Sequence, residues 1–148
     1  MIITQGNTAI GVDIMREAAS WLIDTGKAMW RLDDVTEAKI LDGISPDNIY
    51  VGWINEDSAA AMVLLWRDPV FWPQVSDDSG FLHRLSIRRR FAGTGIAREM
   101  VEWAKQEAGR RGKTYLSLEC EASRLRLCAF YEEMGFQRVE GAESEAAG

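Results

Sequence analysis

The sequence predicts a single mixed α/β domain in which antiparallel strands precede one strand-helix-strand crossover. The chain has 148 residues, about the size of one domain. Two β-leaning runs, 49–54 and 59–66, flank the short polar stretch 55–58, which favours an antiparallel hairpin. Later a strand, a glycine turn, a helix and another strand follow in order, which is typical of a crossover connection. A wholly parallel sheet is therefore disfavoured.

Composition is that of a folded globular protein and argues against several functional classes. Hydrophobic residues make up 47% of the chain and charged residues 27%. The formal net charge of −6 argues against nucleic acid as the partner. Two cysteines, Cys120 and Cys128, cannot supply a disulfide framework or a zinc site, and apolar alternation predicts that Cys120 is buried. No signal segment or membrane-length apolar run is present, so we predict a cytoplasmic protein that binds no membrane.

The first 45 residues are predicted to be mostly helical. Apolar residues recur at a helical period from Ile10 until Gly26, where a first helix is expected to stop. Asp33 or Asp34 is expected to cap a second helix that ends at Gly43.

The second half of the chain alternates strands and helices. We predict a strand over 81–87, a helix after Gly95 and a strand over 114–120. Ser123 is then expected to cap a last helix that runs through Met134.

The C-terminus is predicted to leave the domain. A final strand over 136–139 brings the expected sheet to about six strands. The stretch 140–148, rich in Glu, Ala and Gly, is predicted to be a flexible acidic tail, so the domain spans 1–139.

A glycine turn joins a strand to a helix and suits an anionic ligand. In residues 90–97 the glycines Gly93 and Gly95 precede a helix start, where unpaired backbone N–H groups face outward. Glycine lets an anion approach the backbone, a geometry that binds phosphate. Nearby arginines add positive charge: Arg88, Arg89, Arg90 and Arg98. Two glycines alone are explained equally well by a tight turn with a solvated basic face.

Two nucleotide-binding patterns fit less well. A P-loop needs a lysine after its second glycine and none follows here, which argues against an NTPase. A dinucleotide-binding turn needs a third glycine where Arg98 stands, although Glu119 ends the next strand as a ribose-binding acid would. A dinucleotide-binding protein is kept as an alternative.

Two sequence blocks resemble the GNAT superfamily of acyl-CoA-dependent N-acyltransferases. The motif Arg90-x-x-Gly93-x-Gly95 is similar to the family signature Q/R-x-x-G-x-G/A and follows Leu85-Ser86-Ile87 at the usual spacing. Residues 130–136 read FYEEMGF and resemble the family's closing segment FYEKLGF. The match is close over 81–139 and architectural before it. One departure is Arg124, where many members carry asparagine.

The resemblance implies a three-layer fold, with helices on both faces of a mixed sheet and a splay between the strands 81–87 and 114–120. In such enzymes the pantetheine arm of the cofactor lies in this splay like an added strand. The implied activity is transfer of an acetyl group from acetyl-CoA to a primary amine by direct attack in a ternary complex. A CoA-binding regulatory module without turnover is the alternative from another functional class.

The resemblance assigns most cofactor contacts to the backbone. Leu85 and Ile87 would pair with the amides of the pantetheine arm, and the Leu85 N–H would face the acetyl carbonyl oxygen. N–H groups from Ala92 through Ala97 would bind the pyrophosphate. The full set of predicted cofactor-binding residues is Leu85, Ser86, Ile87, Arg90, Ala92, Gly93, Thr94, Gly95, Ile96, Ala97 and Arg124.

The resemblance also suggests the catalytic residues. Tyr131 matches a tyrosine that lies near the cofactor sulfur, where its O–H can protonate the departing thiolate. His83, the only histidine, shares a strand face with Leu85 and Ile87 by two-residue alternation, so it is a candidate base. A structural role for His83, with water relaying the proton to Glu119, stays open.

Aromatic residues on loops are the candidates for binding the acceptor. Trp30 follows a helix end, and Phe71 and Trp72 stand on a proline-bounded loop, a place that commonly carries recognition. Together with Glu119 they form the predicted substrate-binding set. Aspartates on the same half, unless they only add solubility, would attract a cationic amine: Asp33, Asp34, Asp68, Asp77 and Asp78. Both small-molecule and peptide amines, and a homodimer, stay open.

Overall fold

The computed structural model describes residues 1–27, 29–66, 78–120 and 123–137. Its strands form one sheet in chain order, β1 (Ile2–Gln5), β2 (Ile49–Ile54), β3 (Asp57–Leu65), β4 (Ser79–Ile87) and β5 (Tyr115–Leu118). The helices are α1 (Thr8–Asp24), α2 (Glu37–Ile40), α3 (Ile96–Arg110) and α4 (Leu125–Glu133). β2 pairs antiparallel with β1 and β3, whereas β4 and β5 are parallel, so the predicted mixed α/β fold is confirmed.

The chain forms two compact units. The first contains the described parts of Met1–Val63 and Arg84–Met100, and the second contains the described parts of Leu64–His83 and Val101–Gly148. A single domain over 1–139 stays a prediction.

In the first unit, helices lie on both faces of β2. A side chain at Gly11 of α1 would come within 2.6 Å of Ile49 Cγ2, so the glycine allows α1 to approach β2 closely. A side chain at Gly52 would come within 2.8 Å of Met100 Sδ in α3. Because Ile49 and Gly52 differ by an odd number of positions, they face opposite sides of the strand. This arrangement produces the layers that the resemblance implied.

α1 forms because its apolar residues share one helical face. Its buried residues are Gly11, Val12, Ile14, Met15 and Ala19, which follow a helical spacing. The chain leaves the helix at Thr25, and Gly26 then adopts a positive φ of 75°. The predicted stop at Gly26 is therefore confirmed.

The second helix is shorter than predicted and has a different cap. α2 begins after Thr36, whose Oγ1 accepts a hydrogen bond from the Lys39 N–H at 3.2 Å. The expectation that Asp33 or Asp34 caps this helix is wrong, because both lie in a preceding 3-10 turn, Leu32–Asp34.

Two other local expectations change. The hairpin turn contains only Asn55 and Glu56, and the rest of the expected loop 55–58 belongs to β3. Asn55 takes a positive φ of 56°, a conformation that asparagine tolerates in tight turns. Ser123 does not cap α4, since the residue at the capping position is Arg124. No described side chain makes a capping hydrogen bond at this helix start.

In the second unit, β4 and β5 pair over only part of β4. The parallel register runs from Ser79 opposite Tyr115 to Leu82 opposite Leu118, while β4 itself continues to Ile87. The predicted final strand over 136–139 reaches beyond the described residues, and the tail 140–148 lies wholly outside them. No helix in the described ranges has the length and hydropathy needed to cross a bilayer.

Candidate active site

The turn between β4 and α3 has an open face. Gly93 and Gly95 adopt φ values of 77° and 85°, the left-handed region that strains residues with a Cβ. A Cβ added at either position would meet no atom within 4 Å among the described residues beyond its chain neighbours. The backbone therefore calls for glycine here, and the space in front of the turn can admit a ligand.

α3 begins immediately after this turn. Its first helical hydrogen bond runs from Glu99 N to Gly95 O at 3.1 Å. The first N–H groups of a helix have no carbonyl of a preceding turn to bind, which leaves those of Ile96 and Ala97 without an acceptor inside the helix. The Thr94 hydroxyl donates to Phe91 O and holds the turn. Such a helix start, with its positive dipole end, suits a diphosphate.

The arginines before the turn have partners within the first unit. The Arg88 side chain is only 16% exposed and forms ion pairs with Asp13 at 2.9 Å and Glu17 at 3.1 Å. Arg89 lies over the Trp21 ring, 4.2 Å from its centroid. The expectation that both arginines add to a phosphate-facing cluster is therefore not supported, because both are held against α1.

Arg90 lies in a different setting. It forms an ion pair with Asp57 at 3.2 Å, and both side chains are more than half exposed. Such a surface pair contributes little to stability, so Arg90 can exchange Asp57 for an anionic ligand at little cost.

β4 is irregular at Arg84. This arginine takes a positive φ of 54°, which interrupts the regular pleat of the strand. The alternation argument therefore no longer places His83 on the face of Leu85 and Ile87, and the role of His83 as base stays a prediction. The buried Ser86 hydroxyl donates to Arg84 O at 3.0 Å and fixes the irregularity.

Tyr131 is a buried residue of the second unit. Its ring meets Phe130 and Phe136 edge-on, at centroid distances of 5.2 and 5.7 Å. Burial, followed by the thiols of Cys120 and Cys128, raises the pKa of Tyr131 well above its ordinary value. The phenol therefore keeps its proton at neutral pH, which is the form a general acid needs.

The two cysteines lie beside each other in the second unit. Cys120 Sγ and Cys128 Sγ are 3.2 Å apart, and both residues are buried thiols that form no disulfide. The predicted burial of Cys120 is confirmed.

A cavity of about 500 Å³ opens in the first unit. The predicted substrate residue Trp30 lines it, together with Arg84, whose guanidinium carbon is 5.6 Å from the Trp30 ring centroid. Arg84 Nη1 is buried and has no hydrogen-bond partner among the described residues. Burial lowers the pKa of Arg84 from its ordinary value, and the nearby negative charge of Asp34 opposes that shift.

Sequence reasoning did not single out Arg84 as a site residue. The signal that could have found it is a cationic residue in the middle of a mostly apolar strand, Phe81 to Ile87. Its left-handed backbone carries no sequence signal, because arginine has no special preference for that conformation.

Glu119 and Arg124, two further predicted site residues, belong to the second unit. Glu119 is exposed directly after β5, and Arg124 precedes α4, where its carbonyl accepts from Cys128 N at 2.9 Å. Phe71 and Trp72 lie outside the described residues.

Most of the sequence matches the model of one protein family. Residues 14–136 match the model of the Acetyltransferase (GNAT) family. This match covers most of the chain, so the protein belongs to the GNAT acetyltransferase family, as the resemblance indicated. The dinucleotide-binding alternative is set aside.

A curated relative and solved structures agree with this assignment. The chain is 29% identical over 133 residues to an uncharacterized N-acetyltransferase of Bacillus subtilis, YesJ, covering 84% of this chain and 73% of that one. A GNAT-family acetyltransferase from Listeria monocytogenes has a similar fold, with a TM-score of 0.79, 20% identity and coverage of 99% and 91%. The PaiA N-acetyltransferase of Thermoplasma acidophilum, solved in complex with coenzyme A, gives a TM-score of 0.69 at 14% identity and coverage of 99% and 97%.

Proposed function

We propose that this protein transfers an acetyl group from acetyl-CoA to a primary amine by direct attack in a ternary complex. The family supports acetyl transfer in general. The observation that carries the proposal is the glycine turn, where Gly93 and Gly95 leave open space in front of the first N–H groups of α3.

The chain's residues fit coenzyme A at this turn. The backbone from Ala92 to Ala97 would bind the pyrophosphate, because a helix start offers N–H donors and glycine adds no side chain in the way. PaiA, which shares the fold, was solved in complex with coenzyme A. The part of β4 that follows its last pair with β5, including Leu85 and Ile87, offers backbone groups for the pantetheine amides.

Acetyl-CoA supplies a thioester whose carbonyl carbon accepts the amine. The acceptor nitrogen must be neutral, so a base first removes one proton, and His83 or a water relayed to Glu119 would take it. As the C–N bond forms and the C–S bond breaks, the bonding pair leaves with sulfur. The Leu85 N–H would stabilise charge on the carbonyl oxygen, and the Tyr131 hydroxyl would give its proton to the sulfur. The new amide nitrogen would then lose its second proton, by way of water, to the Tyr131 phenolate, which restores the acid.

Release of free thiol with a panel of amines tests the proposal. We expect thiol to appear from acetyl-CoA at a rate that depends on the amine, with one acetylated amine formed per thiol. Saturable binding of CoA with no amine-dependent thiol release across the panel would instead favour a regulatory CoA-binding module.

A further inference from the structure

Arg84 is held in an unusual backbone state. Its φ of 54° is uncommon for a residue with a long side chain and costs about 1 kcal/mol or more. Residues held in this way concentrate where a protein needs a side chain to point in a specific direction. Here the strained residue is one of the residues that line the cavity.

The guanidinium lacks a complete set of partners. Nη1 is buried without a hydrogen-bond partner among the described residues, a state that is costly for a charged group. Asp34 is near enough to affect the pKa of Arg84, but its Oδ1 already accepts from Lys39 Nζ at 3.1 Å. The Arg84 guanidinium carbon is 5.6 Å from the centroid of the Trp30 ring, whose face attracts the cation. The ring does not accept a hydrogen bond from the N–H groups that lie in the guanidinium plane. The described residues therefore neutralise the guanidinium incompletely, and a carboxylate is the anion whose geometry matches a guanidinium.

The charges around the cavity favour the same ligand chemistry. Its lining has three cationic side chains, Arg31, Lys39 and Arg84, and two acidic ones, Asp34 and Asp42. This local excess of positive charge stands out in a chain with a net charge of −6. The volume of about 500 Å³ is within the range of small-molecule sites. A ligand with one negative and one positive group would satisfy both kinds of lining residue.

We propose that the acceptor is a small amine that also carries a carboxylate, and that Arg84 binds this carboxylate against Trp30. The inference rests on the proposed acetyl transfer and names its substrate class. Arg84 directly precedes Leu85 in the chain, and adjacent Cα atoms are about 3.8 Å apart. An acceptor bound at the Arg84 side chain would present its amine toward this neighbouring position, whose N–H is assigned to the acetyl carbonyl. Asp34 and Asp42 would attract the ammonium group before it loses its proton.

Paired acceptors test the carboxylate requirement. Glycine, glutamine and phenylalanine are each compared with their own carboxamide, which keeps the amine and removes the negative charge. We expect kcat/KM for the amino acids to exceed that for the carboxamides by about 30-fold or more, the size expected when a buried charge loses its partner. Equal values for both series would overturn the proposal.

Variants of Arg84 test the residue itself. Arg84→Gln should raise KM for the amino acids by about 30-fold or more while leaving kcat and the carboxamide rates nearly unchanged. Arg84→Lys, which keeps the charge without the fork, should fall between wild type and Arg84→Gln. Arg31→Gln is the matched control, because Arg31 lines the same cavity but its side chain is 82% exposed. Equal effects of Arg31→Gln and Arg84→Gln would contradict a specific role for Arg84.

A binding measurement separates this proposal from the proposed function. N-acetylglycine and N-acetylglycinamide are titrated calorimetrically into CoA-saturated protein, and only the former should bind, with binding lost in Arg84→Gln. Carboxylate-selective binding without any acetyl transfer would sink the proposed function but keep the carboxylate site. Acetyl transfer without carboxylate selectivity would support the proposed function and contradict the carboxylate site. Arg84→Gly guards against misfolding, because glycine accepts a φ of 54° without strain and still removes the guanidinium.

Discussion

The Tyr131 side chain is buried, and its hydroxyl stays protonated at neutral pH. We predict that Tyr131→Phe lowers kcat by about 10²- to 10⁴-fold, the usual contribution of a positioned acid, while CoA binds as in wild type. Steady-state rates and CoA titration measure the two effects. Tyr115→Phe is the matched control, since Tyr115 lies in β5 with 44% of its surface exposed. An unchanged kcat in Tyr131→Phe would remove the assigned acid.

The raised pKa of Tyr131 also predicts how stability depends on pH. In the unfolded chain a tyrosine loses its proton near pH 10, whereas folded Tyr131 keeps it to higher pH. Its contribution is therefore fully present below about pH 10 and is lost as the pH rises above that value. The free energy of unfolding should fall by about 1.4 kcal/mol per pH unit there from this group alone.

Denaturant unfolding of wild type and Tyr131→Phe between about pH 8 and pH 11 measures this slope. The difference between the two proteins should be constant below about pH 10 and decline above it. A difference that is flat over the whole range would show that the hydroxyl is not shielded from solvent.

At the scale of elements, the glycine turn allows a controlled comparison within the chain. Gly93 and Gly43 have φ values of 77° and 78°, and in the described part of the chain no atom beyond their chain neighbours lies within 4 Å of an added Cβ. Valine at either position should therefore cost a similar amount of stability, about 1–2 kcal/mol or more. Gly93 lies in the turn directly before α3, whereas Gly43 does not, so we expect Gly93→Val to lose CoA binding and Gly43→Val to keep it. Calorimetric titration of both variants measures this, and equal CoA affinities would argue against the diphosphate site.

The sequence predicted the elements whose patterns are strong and local. β2 was expected over 49–54 and occupies Ile49–Ile54, because it is a run of β-branched and aromatic residues that is bounded by turn residues. β1 was not predicted, since its four residues are mostly exposed and pair only at the sheet edge, beside β2. The predicted cap of the second helix failed because several residues before it can cap a helix, and tertiary packing selects among them.

In the candidate site, too, one part could be predicted from the sequence and another could not. The glycine turn could be predicted because its backbone angles require glycine, which is visible in the sequence. The cavity beside Trp30 could not be predicted, because it depends on the left-handed turn at Arg84 and on contacts between distant segments. The roles of His83 and Glu119, the cytoplasmic location and a homodimer stay predictions.

The whole molecule is expected to unfold as one domain despite its two compact units. β3, β4 and α3 each run along the chain from one unit into the other. Melting either unit would therefore break regular elements in both, which favours a single cooperative transition. Scanning calorimetry should give a van't Hoff enthalpy equal to the calorimetric one.

Coenzyme A should move that whole transition upward. A ligand that binds only the folded state at 100 times its Kd adds about 2.7 kcal/mol. For a chain of this size that corresponds to a rise in Tm of about 5 to 10 °C. Because the elements run through both units, stabilisation at the glycine turn should be shared by the entire transition. Two separate transitions, of which CoA moves only one, would show that the units are independent domains, and no movement at all would contradict CoA binding.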